Sequence, residues 1–139
     1  MRILVPVDGS QYSLKAVESA CDLAKSQPFS ALILMSVGIE LPELEEGRYI
    51  AEKMKAQAEA ALAKAKELAA SKDPRVKVDT ILATGSSPAE EIVQIARDEK
   101  IDLIVIGSRG LAGKTSSFLG STAAKVVTYS PCSVLVVKN

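Results

Sequence analysis

The chain has 139 residues, 47% of them hydrophobic, and its 17 lysines and arginines balance 17 aspartates and glutamates. This length and apolar content predict one globular domain over residues 1–139 and argue against a disordered chain. Zero net charge and scarce aromatic residues argue against a nucleic-acid partner, and no apolar run approaches the ~18 residues that a membrane span needs.

The first half of the chain predicts alternating strands and helices. Arg2–Val7 is a dense apolar run without the layout of a signal peptide, which predicts a cytoplasmic protein. It leads into Asp8-Gly9-Ser10, where Ser10 is the predicted N-cap of a helix over about Gln11–Ser26. Ala31–Val37 is a second continuous apolar strand. The alanine-rich helix that follows, about Gly47–Ser71, is predicted to pack on a sheet, an interpretation favoured over a coiled coil.

The next two elements are a strand and a helix. Val76–Ala83 alternates apolar and polar residues, which predicts a half-exposed strand at the edge of a sheet. Ser87 is the predicted N-cap of a helix that begins at Pro88 and runs to about Lys100, since proline suits the first position of a helix.

The last three elements complete a repeating pattern. Asp102–Gly107 is a fourth strand, a helix is predicted over about Ser116–Ser130, and Ser133–Val137 is a fifth strand. Continuous apolar strands that alternate with helices predict a doubly wound, Rossmann-like parallel sheet with helices on both faces. Ligands of such sheets bind beyond the carboxyl ends of the strands. If the first and fourth strands are neighbours, the loop after Gly107 faces the turn at Asp8.

The glycines after the fourth strand predict a phosphate site. In the pattern Gly107-x2-Gly110-x9-Gly120-Ser121, glycines flank a loop between a buried strand and a helix. Backbone N–H groups and a helix N-terminus in this arrangement bind phosphate, and the hydroxyls of Ser121 and Thr122 add to them. Alternatively, Gly107 only ends the strand and Gly120 marks close helix packing. The position of the loop favours binding.

Two charged residues near this loop also have alternative roles. Asp8 is placed to bind a ribose hydroxyl, or it stabilises the turn before the first helix. Arg109 pairs with phosphate or is simply solvated. The sequence has no histidine, and Cys21 and Cys132 lack metal-binding spacing, so both cysteines are predicted to be packing residues. Because no catalytic triad or metal cluster is evident, nucleotide binding is favoured over fast turnover.

A Walker A motif is excluded by register. Gly113-Lys114-Thr115 has the ending of that motif, but Ser108 stands where its first glycine is required. The Gly-Lys-Thr sequence is therefore interpreted as incidental.

With these residues in view, the chain resembles the universal stress proteins over essentially its whole length. The resemblance lies in the opening Ile3–Ser10, in Pro88–Ile92, in the glycine pattern and in the closing Pro131–Val137. The spacing Gly-x2-Gly-x9-Gly-Ser matches the signature of the ATP-binding branch of that family. Two departures are the serines 86 and 87 before Pro88 and the polar stretch Lys114–Ser117. We expect the second of them to affect the preferred phosphate length.

The resemblance implies a fold, a ligand and an assembly. The fold is a five-stranded sheet of order 3-2-1-4-5, of the adenine nucleotide alpha-hydrolase-like kind. The ligand is ATP or AMP, with Mg²⁺ accompanying ATP, or cyclic AMP as in some relatives. The assembly is a homodimer formed by antiparallel pairing of Ser133–Val137. Pro6, Val7 and Asp8 would line the adenosine pocket, with Asp8 on the ribose, and Val37 would contact the adenine. The residues around the phosphates would be Gly107, Arg109, Gly110, Gly120, Ser121 and Thr122.

The leading hypothesis for function is a nucleotide-binding sensor or regulator of the stress response. A second hypothesis is slow ATP hydrolysis or autophosphorylation at Thr115, Ser116, Ser117 or Ser121. A third is cyclic AMP binding, and a fourth is a nucleotide-free interaction module, which the intact glycine pattern argues against.

Overall fold

A computed structural model describes residues 1–40, 45–110 and 119–138 of the chain. The strands of the described residues are β1 (Arg2–Pro6), β2 (Ala31–Ile39), β3 (Lys77–Gly85), β4 (Leu103–Gly107) and β5 (Ser133–Val137). The helices are α1 (Gln11–Ser26), α2 (Glu45–Lys72), α3 (Pro88–Asp98) and α4 (Ser121–Tyr129). All strand pairs are parallel, in the order β3-β2-β1-β4-β5. The predicted doubly wound fold and its strand order are confirmed.

The predicted N-caps of α1 and α3 are also present. The Ser13 N–H donates to the Ser10 hydroxyl at 3.2 Å, and the Glu90 N–H donates to the Ser87 hydroxyl at 3.4 Å. Each hydroxyl satisfies a backbone donor that has no partner within the helix itself. At its other end α3 stops at Asp98, two residues before the prediction, because Lys100 has a left-handed φ of 52°.

Three other boundaries differ from the prediction, namely the ends of β2 and β3 and the start of α4. β2 and β3 both continue two residues further, since they pair without interruption from Ala31–Lys77 to Ile39–Gly85. α4 begins at Ser121, not near Ser116, and Gly120 before it is extended, with φ −61° and ψ 153°. The Gly120 N–H donates to the Ser108 carbonyl at 2.7 Å, which ties this residue to the loop after β4. Residues 116–118 lie outside the described ranges.

The sheet separates two apolar layers. Leu32 and Leu34 of β2 belong to the layer under α1 and α2, whereas Ile33 and Met35 belong to the layer under α3 and α4. This alternation explains why the buried strands appear continuously apolar. β3 is half-exposed at one edge of the sheet, as predicted.

The cysteines differ in burial. Cys21 is fully buried in the layer under α1 and α2, and this burial raises the pKa of its thiol. Cys132 is only partly buried, and it packs against the opposite layer. The packing role predicted for both is therefore complete for Cys21 and partial for Cys132. Within the described ranges, no helix is both long and apolar enough to cross a bilayer.

Candidate functional site

A cleft of about 610 Å³ opens at the carboxyl ends of β1, β2 and β4. The adjacency of β1 and β4 brings the turn at Asp8 opposite the loop after Gly107, as the sequence predicted. The cleft brings together all ten predicted site residues: Pro6, Val7, Asp8, Val37, Gly107, Arg109, Gly110, Gly120, Ser121 and Thr122. The assembly of these residues is a feature of the structure, and their binding roles stay predictions.

The turn after β1 fixes the Asp8 carboxylate between two neighbours. Asp8 Oδ1 accepts a hydrogen bond from the Ser10 N–H at 2.9 Å, and Gly9 between them has a φ of +88°. Asp8 Oδ2 points at the other wall of the cleft, where a Cβ on Gly110 would lie 2.5 Å from it. One oxygen therefore stabilises the turn, and the other faces the glycine loop. The two roles considered for Asp8 are compatible.

The three glycines of the pattern have different surroundings. A Cβ on Gly107 would lie 2.8 Å from the backbone carbon and oxygen of Tyr12, so glycine there permits close approach of α1. A Cβ on Gly120 would lie 3.1 Å from the Ser108 carbonyl oxygen. Close packing therefore explains why glycine stands at position 107, and it is one reason for glycine at position 120. Gly110 is the one of the three whose added Cβ would meet a side chain of the cleft.

The N-terminus of α4 presents backbone donors to the cleft. Gly120 supplies no capping side chain, and the Ala124 N–H makes the first bond of the helix, to the Gly120 carbonyl at 2.9 Å. Three N–H groups come before that bond, those of Ser121, Thr122 and Ala123. They have no helix carbonyl to which they could donate. The positive end of the helix dipole adds to them, so this end of the cleft favours an anion.

The opposite end of the cleft is formed by β2, which extends past the end of β1. The Ala31 N–H donates to the Met1 carbonyl, and the Met35 carbonyl accepts from the Val7 N–H, so odd-numbered backbone groups of β2 face β1. The Glu40 N–H donates to Gly85 of β3, which agrees with this alternation. Because β1 ends at Pro6, the N–H and C=O of Val37 face the cleft.

Sequence reasoning missed the wall that α2 contributes. Met54, Gln57 and Ala58 line the cleft, and α2 passes so close to β2 that a Cβ on Gly38 would lie 3.2 Å from Lys55 Cα. Met54 and Ala58 belong to the apolar stripe that the helical spacing of the sequence predicts for α2: Ile50, Met54, Ala58, Ala61, Ala65 and Leu68. The stripe does not indicate that part of α2 extends past the end of β1 and covers a cleft.

Lys114 and the candidate phosphate acceptors Thr115, Ser116 and Ser117 lie outside the described residues, as does the Gly-Lys-Thr sequence.

Comparison with known proteins identifies the family. The model of the Universal stress protein family matches residues 1–138. The chain belongs to the universal stress protein family. Among relatives of this universal stress protein, YxiE of Bacillus subtilis is 38% identical over 99% of the chain and 98% of its own length. MJ0531 of Methanocaldococcus jannaschii is 36% identical over 99% of the chain and 82% of its own length.

Solved structures of universal stress proteins have the same fold. UspA of Lactobacillus plantarum superposes with a TM-score of 0.84 at 27% identity, covering 99% of this chain and 97% of its own. A universal stress protein in complex with cyclic AMP gives 0.76 at 27% identity, covering 99% and 96%. A dAMP complex from Archaeoglobus fulgidus, at 19% identity, and an AMP-bound protein from Arabidopsis thaliana, at 21%, share the fold, with TM-scores of 0.77 and 0.68. They cover 99% and 100% of this chain and 98% and 92% of their own.

Proposed function

We propose that this universal stress protein binds an adenine nucleotide, ATP or AMP, in the cleft and acts as a cytoplasmic sensor or regulator of the stress response. The observation that carries the proposal is one cleft with anion donors at one end and a backbone donor–acceptor pair at the other. The turn at Asp8 lies between those two ends. These three parts of the cleft correspond to the three parts of a nucleotide, which are a phosphate, a base and the sugar that joins them.

The phosphate would bind at the N-terminus of α4. The N–H groups of the first turn, the hydroxyls of Ser121 and Thr122, and the guanidinium of Arg109 supply donors and positive charge. Arg109 is the one basic residue among the described residues of the cleft lining. Gly110 would leave room for the phosphate beside Asp8.

The base would bind against β2 and α2. The N–H and C=O of Val37 form a donor next to an acceptor, which complements the ring-nitrogen acceptor and the amino group of adenine. Guanine presents a ring N–H and a carbonyl in the reversed order, so the pair favours adenine. Met54 and Ile39 provide apolar surface for the faces of the ring.

Asp8 would bind the ribose hydroxyls through the oxygen that faces the cleft. It is also the one carboxylate among the described residues of the lining. Mg²⁺ is commonly held by one or two carboxylates together with phosphate oxygens and water, so Asp8 fits an ion that arrives with ATP. In that case the ion would neutralise phosphate charge.

Cyclic AMP is the second candidate ligand, because a relative of the same fold was solved in complex with it at 27% identity. Slow hydrolysis or autophosphorylation is a weaker alternative. Of its candidate acceptors Ser121 lines the cleft, but the described residues there include no general base besides Asp8.

The test is to identify any nucleotide that copurifies with the protein and then to titrate the stripped protein with ATP, AMP, cyclic AMP and GTP by calorimetry. We expect one adenine nucleotide per chain, with GTP bound at least about tenfold more weakly, because a mismatched bidentate contact costs roughly 1–3 kcal/mol. Phosphate release is followed in parallel. No binding of any adenine nucleotide would refute the proposal, and steady release would establish the enzyme alternative.

We also propose that β5 forms a homodimer by antiparallel pairing. β5 lies at the edge of the sheet, and its residue Leu135 is 40% exposed. The Val137 carbonyl accepts from Ser108 after β4, so Val137 faces β4 and, by alternation, the Val136 N–H faces the outer edge. An apolar edge with available donors pairs readily with another strand.

Val136→Pro is expected to give a monomer, since proline removes an outer-edge donor without removing a bond to β4. Val136→Ala is the matched control, because it loses similar packing but keeps the N–H, and it should remain dimeric. Sedimentation velocity measures both. A monomeric wild type, or a Val136→Pro dimer, would contradict the proposed assembly.

A further inference from the structure

Ser36 is the one polar side chain in the otherwise apolar strand β2. It is 3% exposed, and its hydroxyl donates a hydrogen bond of 2.7 Å to the carbonyl of Val7, which is itself buried. Val7 is the first residue after β1, at the edge of the cleft. The bond therefore joins β2 to the point where β1 leaves the sheet.

This bond replaces one that the ladder would otherwise make. In a parallel pair, a residue donates to one neighbour on the facing strand and accepts from the residue two further along. The Val7 N–H donates to the Met35 carbonyl at 2.8 Å, so the Val7 carbonyl is next in line for the Val37 N–H. Between these two described residues no such backbone bond is present, and the Ser36 hydroxyl binds the carbonyl instead.

We propose that Ser36 is a positioning residue for base recognition. Its hydroxyl satisfies the Val7 carbonyl and thereby keeps the Val37 N–H out of the β1–β2 ladder, so that this donor remains directed at the cleft. The part that concerns the base rests on the proposed function. The exclusion of Val37 from the ladder is a property of the protein without nucleotide.

Removing the hydroxyl has a specific structural consequence. In Ser36→Ala the buried Val7 carbonyl loses its donor, and the Val37 N–H is the next donor that the alternation of β2 directs toward it. Closing that bond would add one rung to the ladder and withdraw the donor from the base. If the bond to Val7 served only to give the buried Ser36 hydroxyl a partner, removing the hydroxyl would leave the Val37 N–H unchanged.

The experiment is amide hydrogen exchange of the full-length protein, measured by NMR without nucleotide. In the wild type, the Val37 amide should exchange more than about tenfold faster than the amide of Met35, which faces β1 within the paired register. In Ser36→Ala the Val37 amide should slow by about tenfold, as expected for one new hydrogen bond. Ser36→Thr keeps the hydroxyl and should retain the fast exchange. If Ser36→Ala fails to fold, a wild-type Val37 amide as protected as that of Met35 would still overturn the inference.

Nucleotide titrations separate this inference from the proposed function. We expect the ratio of AMP to IMP affinity to fall by about tenfold in Ser36→Ala, since IMP carries a ring N–H that opposes the Val37 donor. Protection of Val37 equal to that of Met35 in the wild type, or equal Val37 exchange in wild type and Ser36→Ala, would overturn the inference even if AMP binds. Slowed Val37 exchange in a protein that binds no AMP would instead refute the proposed function, and with it the base-reading role.

Discussion

Replacing Gly107 by alanine is expected to lower the free energy of unfolding by about 1–3 kcal/mol, the usual cost of overpacking. The added Cβ would lie 2.8 Å from both the backbone carbon and the carbonyl oxygen of Tyr12, and 3.0 Å from its Cβ. Tyr12 is in the first turn of α1, so its backbone yields only if the helix moves. Urea unfolding followed by circular dichroism measures the change.

Gly38→Ala is the matched control. Its Cβ would lie 3.2 Å from Lys55 Cα, a contact that an adjustment of a few tenths of an ångström relieves. Alanine also reduces the entropy of the unfolded chain, a gain of about 0.4–1 kcal/mol that offsets part of this strain. We expect a change near zero. If Gly107→Ala proved as stable as Gly38→Ala, α1 would not be held against β4 by this close approach.

The three glycines of the pattern have different physical roles in the structure. From the sequence, three glycines around a loop suggest a common role in cradling phosphate. In the structure, Gly107 makes room for a helix, Gly120 makes room for the loop backbone, and Gly110 faces the Asp8 carboxylate. The residues of one spacing pattern therefore lie in the same cleft for separate physical reasons.

Local sequence signals were sufficient for most of the fold. Apolar runs placed all five strands, and the hydroxyls of Ser10 and Ser87 fixed two helix starts. The strand order depended on the resemblance to a family, because alternating strands and helices are compatible with more than one winding. The extensions of β2 and β3 could not be predicted, since each strand continues only because the other pairs with it.

The end of the cleft that we propose for the base could not be predicted from local signals, for the same reason. The direction of the Val37 backbone groups depends on register between β1 and β2, which are joined across the sheet by the bond from Val7 to Met35. Likewise, Gln57 is a polar residue of α2 that lines the cleft only because α2 lies over it. Contacts between distant segments decide both features.

Gly110→Val is expected to reduce AMP affinity by about a hundredfold, equivalent to roughly 2.7 kcal/mol. The first carbon of the new side chain would lie 2.5 Å from Asp8 Oδ2, so the carboxylate must turn away from the place proposed for the ribose. The valine methyl groups would also take up space between the sugar and phosphate positions. Calorimetry measures the affinity. Thermal unfolding should change less than in Gly107→Ala, because the displaced atom is the end of a side chain and not backbone.

A double-mutant cycle shows whether the effect passes through Asp8. In an Asp8→Ala background the carboxylate that valine displaces is absent, so Gly110→Val should cost less than in the wild type. Equal costs in both backgrounds would mean that valine blocks the phosphate and leaves the ribose contact intact. Full AMP binding by Gly110→Val would contradict a nucleotide that lies between Asp8 and the N-terminus of α4, because Gly110 lies beside Asp8 in the same cleft.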